Sequence, residues 1–446
     1  MYQPKSVTNW CNQWWVLGVS IGFLLVHLFP FLYFKQWPVL GFDTGFYRRY
    51  LIEPFTSLPH AAVPGLDHTV ILPRVFLDLI RLTGLPIDVV LYGGYVLASA
   101  LLFGGIFFFV REQFGSKAAY VAVFLILFSP VYYHGYWFFL LKNVLALALF
   151  FWLLYALKRE NLALAFFLTF LIPITHQSTT IFVGLFFFVA GVHAYVTKHK
   201  WRVLFGLWGI TFIMYLIYHP TVAAKLAAPP TAIFLTTPEF LLMATPLLLG
   251  FLVLIRRNIG VLKKEWVLGL PLAIVLIFTL FSLPYAERFF YTGIFFLAIL
   301  IAVTWQKVVI PRYLLFILFF SYLSFGFYFM LETHPLFGDE VVRELTSLEV
   351  VPQVASVVTP NYLASWVHGY TTATVYAPGV FKDAAPPASW EYYWSHQSPL
   401  YDRDFLGSYP SPLYLFVPPN EAVWFLPESD CIEQKSAYLY LYLCGD

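Results

Sequence analysis

Eleven apolar stretches recur between residue 14 and Leu331, and their length constrains the fold more than any other feature of the chain. Each runs for roughly 15 to 23 residues, and about 20 residues of helix cross the ~30 Å hydrocarbon core of a bilayer. They lie at 14–34, 88–110, 118–133, 137–157, 161–175, 177–196, 202–218, 239–255, 266–284, 288–305 and 312–330. Hydrophobic residues make up 60% of the chain and charged residues only 11%, a balance foreign to a soluble chain of 446 residues. The sequence therefore predicts a multi-spanning α-helical membrane protein. Its first apolar run is too long for a signal-peptide core, and Leu28 to Phe34 offers no small-residue cleavage site, so that run is expected to remain as a helix.

Orientation follows from the basic residues, because short loops rich in Lys and Arg stay cytoplasmic. Arg111 and Lys117, Lys158 and Arg159, Lys198, Lys200 and Arg202, Arg256, Arg257, Lys263 and Lys264, and Lys307 and Arg312 mark five cytoplasmic turns. With Lys5 these account for 14 of the 26 basic residues, so the N-terminus is expected in the cytoplasm. The opposite turns carry Asp43, His134, His176, Glu239 and Arg288, which places the polar groups suited to chemistry on the extracytoplasmic side. The first outer loop, about 35–87, breaks the charge bias with Arg48, Arg49, Arg74 and Arg81. A helical wheel over 43–53 sets Phe46, Tyr47, Tyr50 and Leu51 around Asp43, the pattern of an interfacial helix whose arginines meet anionic headgroups or a lipid phosphate.

Beyond Leu331 the chain turns acidic, holding 14 of the 24 acidic residues and 4 of the 26 basic ones. Residues 1–331 are thus expected to form the membrane domain and 332–446 a separate extracytoplasmic domain. Short apolar runs at Leu348–Val358, Thr374–Tyr376, Leu413–Val417 and Tyr438–Leu443, parted by Pro, Gly and Asn, read as strands of a small α/β or mostly β domain. Cys431 and Cys444 flank the last run, and outside the cytoplasm two thiols so close in sequence suit a disulfide; the alternative is two unpaired small residues. No internal repeat, Gly-rich phosphate loop or zinc-type Cys/His spacing is present. A formal charge of +2 offers no broad basic face for nucleic acid.

Asp43, in Gly41-Phe42-Asp43-Thr44-Gly45-Phe46-Tyr47-Arg48-Arg49, suits a general base or a ligand for a divalent metal such as Mg or Mn. It also suits the N-cap of the helix that follows. The neighbouring Gly41 and Gly45 would let backbone and ligand approach closely. Glu239, closing Thr236-Thr237-Pro238-Glu239, is a second candidate metal ligand or an ordinary helix start. Arg288 stands at the mouth of the tenth span, where paired hydrogen bonds from a guanidinium would clamp a donor phosphate; pairing with Glu287 or snorkelling is the alternative. His134 and His176 occupy two other outer turns as candidate sugar or acceptor contacts, with Tyr133 and its aromatic neighbours able to stack on sugar rings or to form an interfacial belt.

This layout resembles the GT-C superfamily of membrane glycosyltransferases, and within it the catalytic subunits of oligosaccharyltransferases. Phe42-Asp43-Thr44-Gly45-Phe46-Tyr47-Arg48 is similar to their first-loop Phe-Asp motif, and Thr236 to Glu239 to their Ser/Thr-x-x-Glu motif. Ser365-Trp366-Val367-His368-Gly369-Tyr370 resembles a degenerate Trp-Trp-Asp-Tyr-Gly motif. The resemblance implies a GT-C-like fold for the about 11 transmembrane helices read above, fewer than the family's usual thirteen, with the small C-terminal α/β domain following them. It implies Asp43 as the catalytic acid, a donor phosphate at Arg288 with Arg48 and Arg49, and acceptor contacts at Trp366 and His368. The chain departs from the pattern in the second outer loop, where His134 replaces paired acids, and at the acceptor-binding Asp, where His368 stands nearby.

The expected activity is transfer of a sugar or oligosaccharide from a polyprenyl-phosphate-linked donor to a glycan or protein acceptor on the extracytoplasmic side of the cell membrane. A transporter or flippase of such lipids is the competing class. Its ionisable groups would sit near the bilayer midplane, whereas here they cluster in outer turns. A non-catalytic glycolipid-binding member of the superfamily is the third reading.

Overall fold

A helix satisfies its own backbone groups, which is why apolar segments with no water to bond fold this way. In the computed structural model each of the eleven apolar segments is helical. The structure describes residues 5–34, 41, 43–52, 71–197, 201–218, 237–306, 312–333, 337–377, 389–390, 393, 404–419 and 429–444. In chain order the helices are α1 (Lys5–Phe34), α2 (Thr44–Ile52), α3 (Ile71–Arg81), α4 (Ile87–Phe114), α5 (Ser116–Leu127), α6 (Pro130–Trp137), α7 (Leu141–Lys158), α8 (Leu162–Leu171) and α9 (Gln177–Val196). They continue with α10 (Trp201–Tyr218), α11 (Thr237–Val253), α12 (Ile255–Lys264), α13 (Trp266–Leu280), α14 (Ala286–Trp305), α15 (Arg312–Glu332), α16 (Asp339–Thr346) and α17 (Asn361–Tyr370). The chain divides into two compact units, one of residues 1–35, 68–73 and 95–334, the other of residues 36–67, 74–94 and 335–446.

Six helices among the described residues are long and apolar enough to cross a membrane: the stretch Val16–Tyr33 of α1, then α4, which begins in the second unit and runs into the first, and α7, α9, α10 and α14 of the first unit. The α5–α6 pair passes the same test as one segment bent by 54°. Pro130 causes the bend, since it has no N–H to continue the α5 ladder but suits the first position of a new helix. Segments in α8, α11, α13 and α15 are shorter apolar helices. Burial sorts these helices: 89% of the α14 window is inside the protein against 22% for α10, so α14 is the central post and α10 faces outward. Around α14 the rings of Phe151 and Phe296 stack at 5.3 Å, and Phe182 meets Phe289 edge-on at 5.2 Å. Gly135 in α6 lies against Tyr291 of α14, where any side chain would overlap the ring. His27 ties α1 to α6: its Nε2 is 2.8 Å from the Tyr132 hydroxyl, while the Tyr136 hydroxyl donates to the His27 carbonyl at 2.8 Å. His27 carries no sequence signal for this buried polar latch, since it lies within an apolar helix and not in a turn.

The second unit is built on a five-stranded sheet in the order β2-β1-β3-β5-β4, from β1 (Ser356–Val358), β2 (Thr374–Tyr376), β3 (Leu413–Phe416), β4 (Ile432–Gln434) and β5 (Leu439–Tyr442). β1 pairs parallel with β2 and β3, and the β3-β5-β4 half is antiparallel. Alternation along β3 sends Leu413 and Leu415 into an aromatic layer with Trp390, Phe405 and Tyr409, and Phe416 into the opposite layer with Trp366 and Leu439. Three expected strands are present, but Leu348–Val350 winds as a 3-10 turn and only Ser356–Val358 of that run is strand. The polar edge strand β4 carried no apolar signal. Cys431 and Cys444 form a disulfide that joins the start of β4 to the end of β5.

α2 and α17 cross backbone to backbone. A Cβ on Gly45 would overlap the carbonyl of Ser365, and one on Gly369 would stand 2.5 Å from the Gly45 oxygen and 2.8 Å from its Cα. All residues from Thr44 to Leu51 are buried. The interfacial helix expected over 43–53 is therefore a core helix, and Gly45 makes room for α17 rather than for a ligand.

Gly45→Ala is expected to destabilise the second unit by about 3 kcal/mol or more, because backbone cannot yield as a side chain can. Gly93→Ala, with nothing within 4 Å, should leave the thermal transition unchanged or slightly raised. Equal transitions for the two variants would refute the packing argument. Separately, loss of the disulfide should cost about 3 kcal/mol from its short loop, read as a lower unfolding midpoint in Cys431→Ser/Cys444→Ser. Alkylation of both thiols without reductant would contradict the bond.

Candidate functional site

Two segments more than 300 residues apart in sequence, the Asp43 loop and α17, pack together in the second unit. The Asp43 carbonyl accepts from the N–H groups of Phe46 at 3.1 Å and Tyr47 at 3.3 Å, so the backbone of Asp43 begins α2. Its side chain is half-buried. Among the described residues no hydrogen bond or ion pair reaches its carboxylate, which leaves it available to a ligand. Gly41 adopts φ of 69°, a left-handed conformation that favours glycine, and its carbonyl accepts from the Trp366 indole at 3.0 Å. The Asp43 loop is thus pinned on one side by Trp366 and on the other by the Gly45 crossing. Trp366 itself is buried in the core layer with Phe46 and Val375, and its indole N–H serves this pin.

The arginines that broke the charge bias have an internal reason. Arg48 donates from Nε to Asp88 at 3.2 Å and from Nη1 to the Gly369 carbonyl at 2.7 Å, and its guanidinium stacks 3.6 Å from the Tyr370 ring centre. Arg49 donates from Nη2 to the Thr372 carbonyl at 3.0 Å. Both are buried, so these contacts replace the water that a guanidinium loses. His368 is buried beside Phe46, with ring centres 5.9 Å apart. Burial, reinforced by the charge of Arg49, pushes its pKa down to about 3 and keeps the imidazole neutral. Burial also pushes the Tyr370 phenol up to about 12. Asp88, which anchors Arg48, was not foreseen; its placement in the first turn of an apolar helix was the available signal.

The remaining candidates belong to the first unit. Arg288 is half-buried in the first turn of α14, directly after Tyr285, which caps the helix with φ of 70°. His176 is the N-cap of α9, its ring accepting from the Thr179 N–H and its Nδ1 lying 2.9 Å from the Thr179 hydroxyl. Next to it Gln177 donates to the Tyr215 hydroxyl at 3.3 Å, joining the start of α9 to the end of α10. Neither Gln177 nor Tyr215 drew notice from sequence, since their pairing depends on how the two helices meet. His134 packs its ring 4.5 Å from that of Phe138, and Tyr133 is buried between Tyr136 and Trp137. Glu239 is exposed in the first turn of α11, where a negative charge suits the helix dipole.

Asp43 and Glu239 fall in different units. Among the described residues no three His, Cys, Asp or Glu side chains gather as a metal site. The described residues do not make the expected metal cage.

No family model matches the sequence, and no curated protein matches it. Solved structures do match. The archaeal oligosaccharyltransferase AglB from Archaeoglobus fulgidus, in complex with an inhibitory peptide and a dolichol-phosphate, superposes with a TM-score of 0.63 at 13% identity over 93% of this chain and 71% of that one. ArnT from Cupriavidus metallidurans, bound to undecaprenyl phosphate, gives 0.60 at 13% identity over 98% of both chains. The arabinofuranosyltransferase AftD from Mycobacteria gives 0.53 at 12% identity over 91% of this chain and 35% of that one. At such identities the likeness is one of fold, and the chain shares the fold of these solved structures.

Proposed function

We propose that this chain is a membrane glycosyltransferase that moves a sugar or oligosaccharide from a polyprenyl-phosphate-linked donor to an acceptor on the extracytoplasmic side. The observation that carries the reading is Asp43: a half-buried carboxylate, held by a rigid crossing of two helices and without a partner among the described residues, on the fold of lipid-using glycosyltransferases. An acceptor hydroxyl or amide attacks the anomeric carbon while the bond to the phosphate oxygen breaks. Asp43 takes or orients the acceptor proton, and the lipid phosphate leaves with the bonding electrons. Such a single in-line displacement inverts the anomeric centre. Arg288 is the proposed clamp for the leaving phosphate, with His134 and His176 as contacts to sugar or acceptor, whereas Tyr133, buried between Tyr136 and Trp137, is assigned to packing. Arg48, Arg49, Trp366 and His368 we assign to positioning Asp43, given their burial and internal bonds.

For topology we infer eleven crossings: the six long helices, the bent α5–α6 pair as one, and the four shorter apolar helices. An odd number sends a cytoplasmic N-terminus to an extracytoplasmic C-terminal domain, the side on which the Cys431–Cys444 disulfide is stable.

With purified protein in lipid nanodiscs and a labelled polyprenyl donor, Asp43→Ala is expected to lower transfer by at least about 100-fold while the thermal transition stays in place. Unchanged transfer would overturn the role of Asp43, and no transfer by the native chain would overturn the reading in favour of a protein that binds or moves the lipid without reacting it. His368 supplies a pH test. Its folded pKa lies below the unfolded value of about 6.5, so its contribution is full above that pH. As pH falls from about 6.5 toward about 3 the unfolded chain gains a proton that the folded chain refuses, and stability drops by up to about 1.4 kcal/mol per pH unit. The unfolding midpoint should therefore fall more steeply between pH 7 and pH 5 in the native chain than in His368→Asn. Parallel pH profiles would show that the imidazole is not buried neutral.

A further inference from the structure

Between the ends of α11 and α13 that the proposed topology places in the cytoplasm, the chain makes one short helix with three distinct faces. Leu254 breaks the helical path after α11, and Glu265 breaks it again before α13. Each corner is a single residue, so α12 is held close to both apolar helices. On a helical wheel Asn258 and Val261 share one face with Leu254, and all three are buried. Asn258 fixes that face by donating from Nδ2 to the Phe251 carbonyl at 2.8 Å, near the end of α11. The adjacent face carries Leu262 with Ile255 and Ile259, the two isoleucines 40% and 44% exposed. The third face carries Arg256, Gly260 and Lys264, spaced four apart and all exposed. With Arg257 and Lys263 the helix holds four basic residues and no acidic one.

The occupant follows from charge and from what lies on either side. The exposed isoleucines come directly after Leu252 and Val253, the exposed end of α11, and before Trp266, the exposed start of α13. Among the described residues no ion pair reaches Arg256 or Lys264, and the acids Glu112 and Glu265 are instead held by Arg159 at 3.1 Å and Gln113 at 3.0 Å. Retention of positive loops in the cytoplasm accounts for a surplus of bases there. It does not account for their segregation onto one face, beside exposed isoleucines and away from the buried face of Asn258 and Val261. Aliphatic side chains flanked by cations, on a short helix joined to two apolar ones, suit the headgroup region of an anionic bilayer. We infer that α12 is a docking site for anionic phospholipid of the inner leaflet, with Ile255 and Ile259 against the acyl chains and the Arg256 and Lys264 face on the headgroups. The inference rests on α11 and α13 crossing the bilayer and is independent of the proposed transfer reaction.

The test uses the full chain carrying Cys11→Ser, with a single cysteine introduced by Ile259→Cys and labelled with bimane. Leu242→Cys, at an exposed position of α11 remote in sequence from α12, is the control for the crossing. Each protein is placed in phosphatidylcholine nanodiscs doped with spin-labelled phosphatidylglycerol or with spin-labelled phosphatidylcholine of the same acyl chains. At position 259 the phosphatidylglycerol should quench at least about twofold more than the phosphatidylcholine, and at position 242 the two should quench alike. Adding Arg256→Gln and Lys264→Gln should bring the two values at position 259 together, as should a rise in salt to about 0.5 M. Equal quenching by both lipids at position 259 before those changes would overturn the inference, since no headgroup is then selected. A preference that survives Arg256→Gln and Lys264→Gln would overturn it by removing the cations from its cause. Absent quenching at position 259 beside full quenching at position 242 would overturn it by taking α12 out of the bilayer. Absent quenching at both positions would overturn it together with the crossing of α11.

Discussion

The crossing of α2 over α17 is the contact on which the candidate site rests. Two backbones approach so closely at Gly45 and Gly369 that neither position has room for a methyl group. Such an approach is possible only with glycine on both helices, and it fixes distance and rotation together, because displacement in any direction meets backbone rather than a side chain that can turn aside. Everything that holds Asp43 follows from this crossing. It brings the Trp366 indole to the Gly41 carbonyl, the Arg48 guanidinium to Gly369 and Tyr370, and Arg49 to Thr372 and the neighbourhood of His368. Asp43 is the carboxylate of the α2 loop left over once those partners are assigned, and a half-buried carboxylate so left is the group in that loop suited to proton chemistry.

The same logic governs charge placement. Arg48 and Arg49 looked from sequence like bases offered to a phosphate at the membrane surface. Their burial makes them structural cations, each compensated by carbonyls, and for Arg48 also by a carboxylate and an aromatic face. In the first unit, polar groups are again matched where they are buried, as His27 is with Tyr132 and Tyr136 between α1 and α6. At helix starts there stand Arg288 on α14, His176 as the cap of α9 and Glu239 on α11, and of these the dipole favours the negative charge of Glu239.

Much of the architecture was legible in the sequence, for a physical reason. Hydrocarbon forces each apolar stretch to become a helix, so position and type of element follow from composition alone, and helices appear at all eleven expected segments. Length was less legible: α8 spans only Leu162–Leu171, since Asn161 caps one end and the turn before His176 closes the other. In the C-terminal part, apolar alternation located β2, β3 and β5, but β4 has only Ile432 as an apolar residue and takes its place from pairing with β5 and from the disulfide. Such an edge strand is defined by its neighbour and not by its own pattern.

The sequence by itself determined that the chain is a helical membrane protein with a small sheet-bearing C-terminal part, because those outcomes depend on local apolar periodicity. It also singled out Asp43, because a carboxylate between glycines after an apolar segment is conspicuous without any knowledge of contacts. Only the tertiary structure decided what surrounds that carboxylate. Gly45, Arg48, Arg49, Trp366 and His368 each had a plausible ligand-facing role in one dimension, and each turned inward once α2 met α17. The physical reason is that a residue's role depends on which polar groups and which space lie within a few ångströms of it. Those neighbours come from more than 300 residues away, where no local pattern can record them.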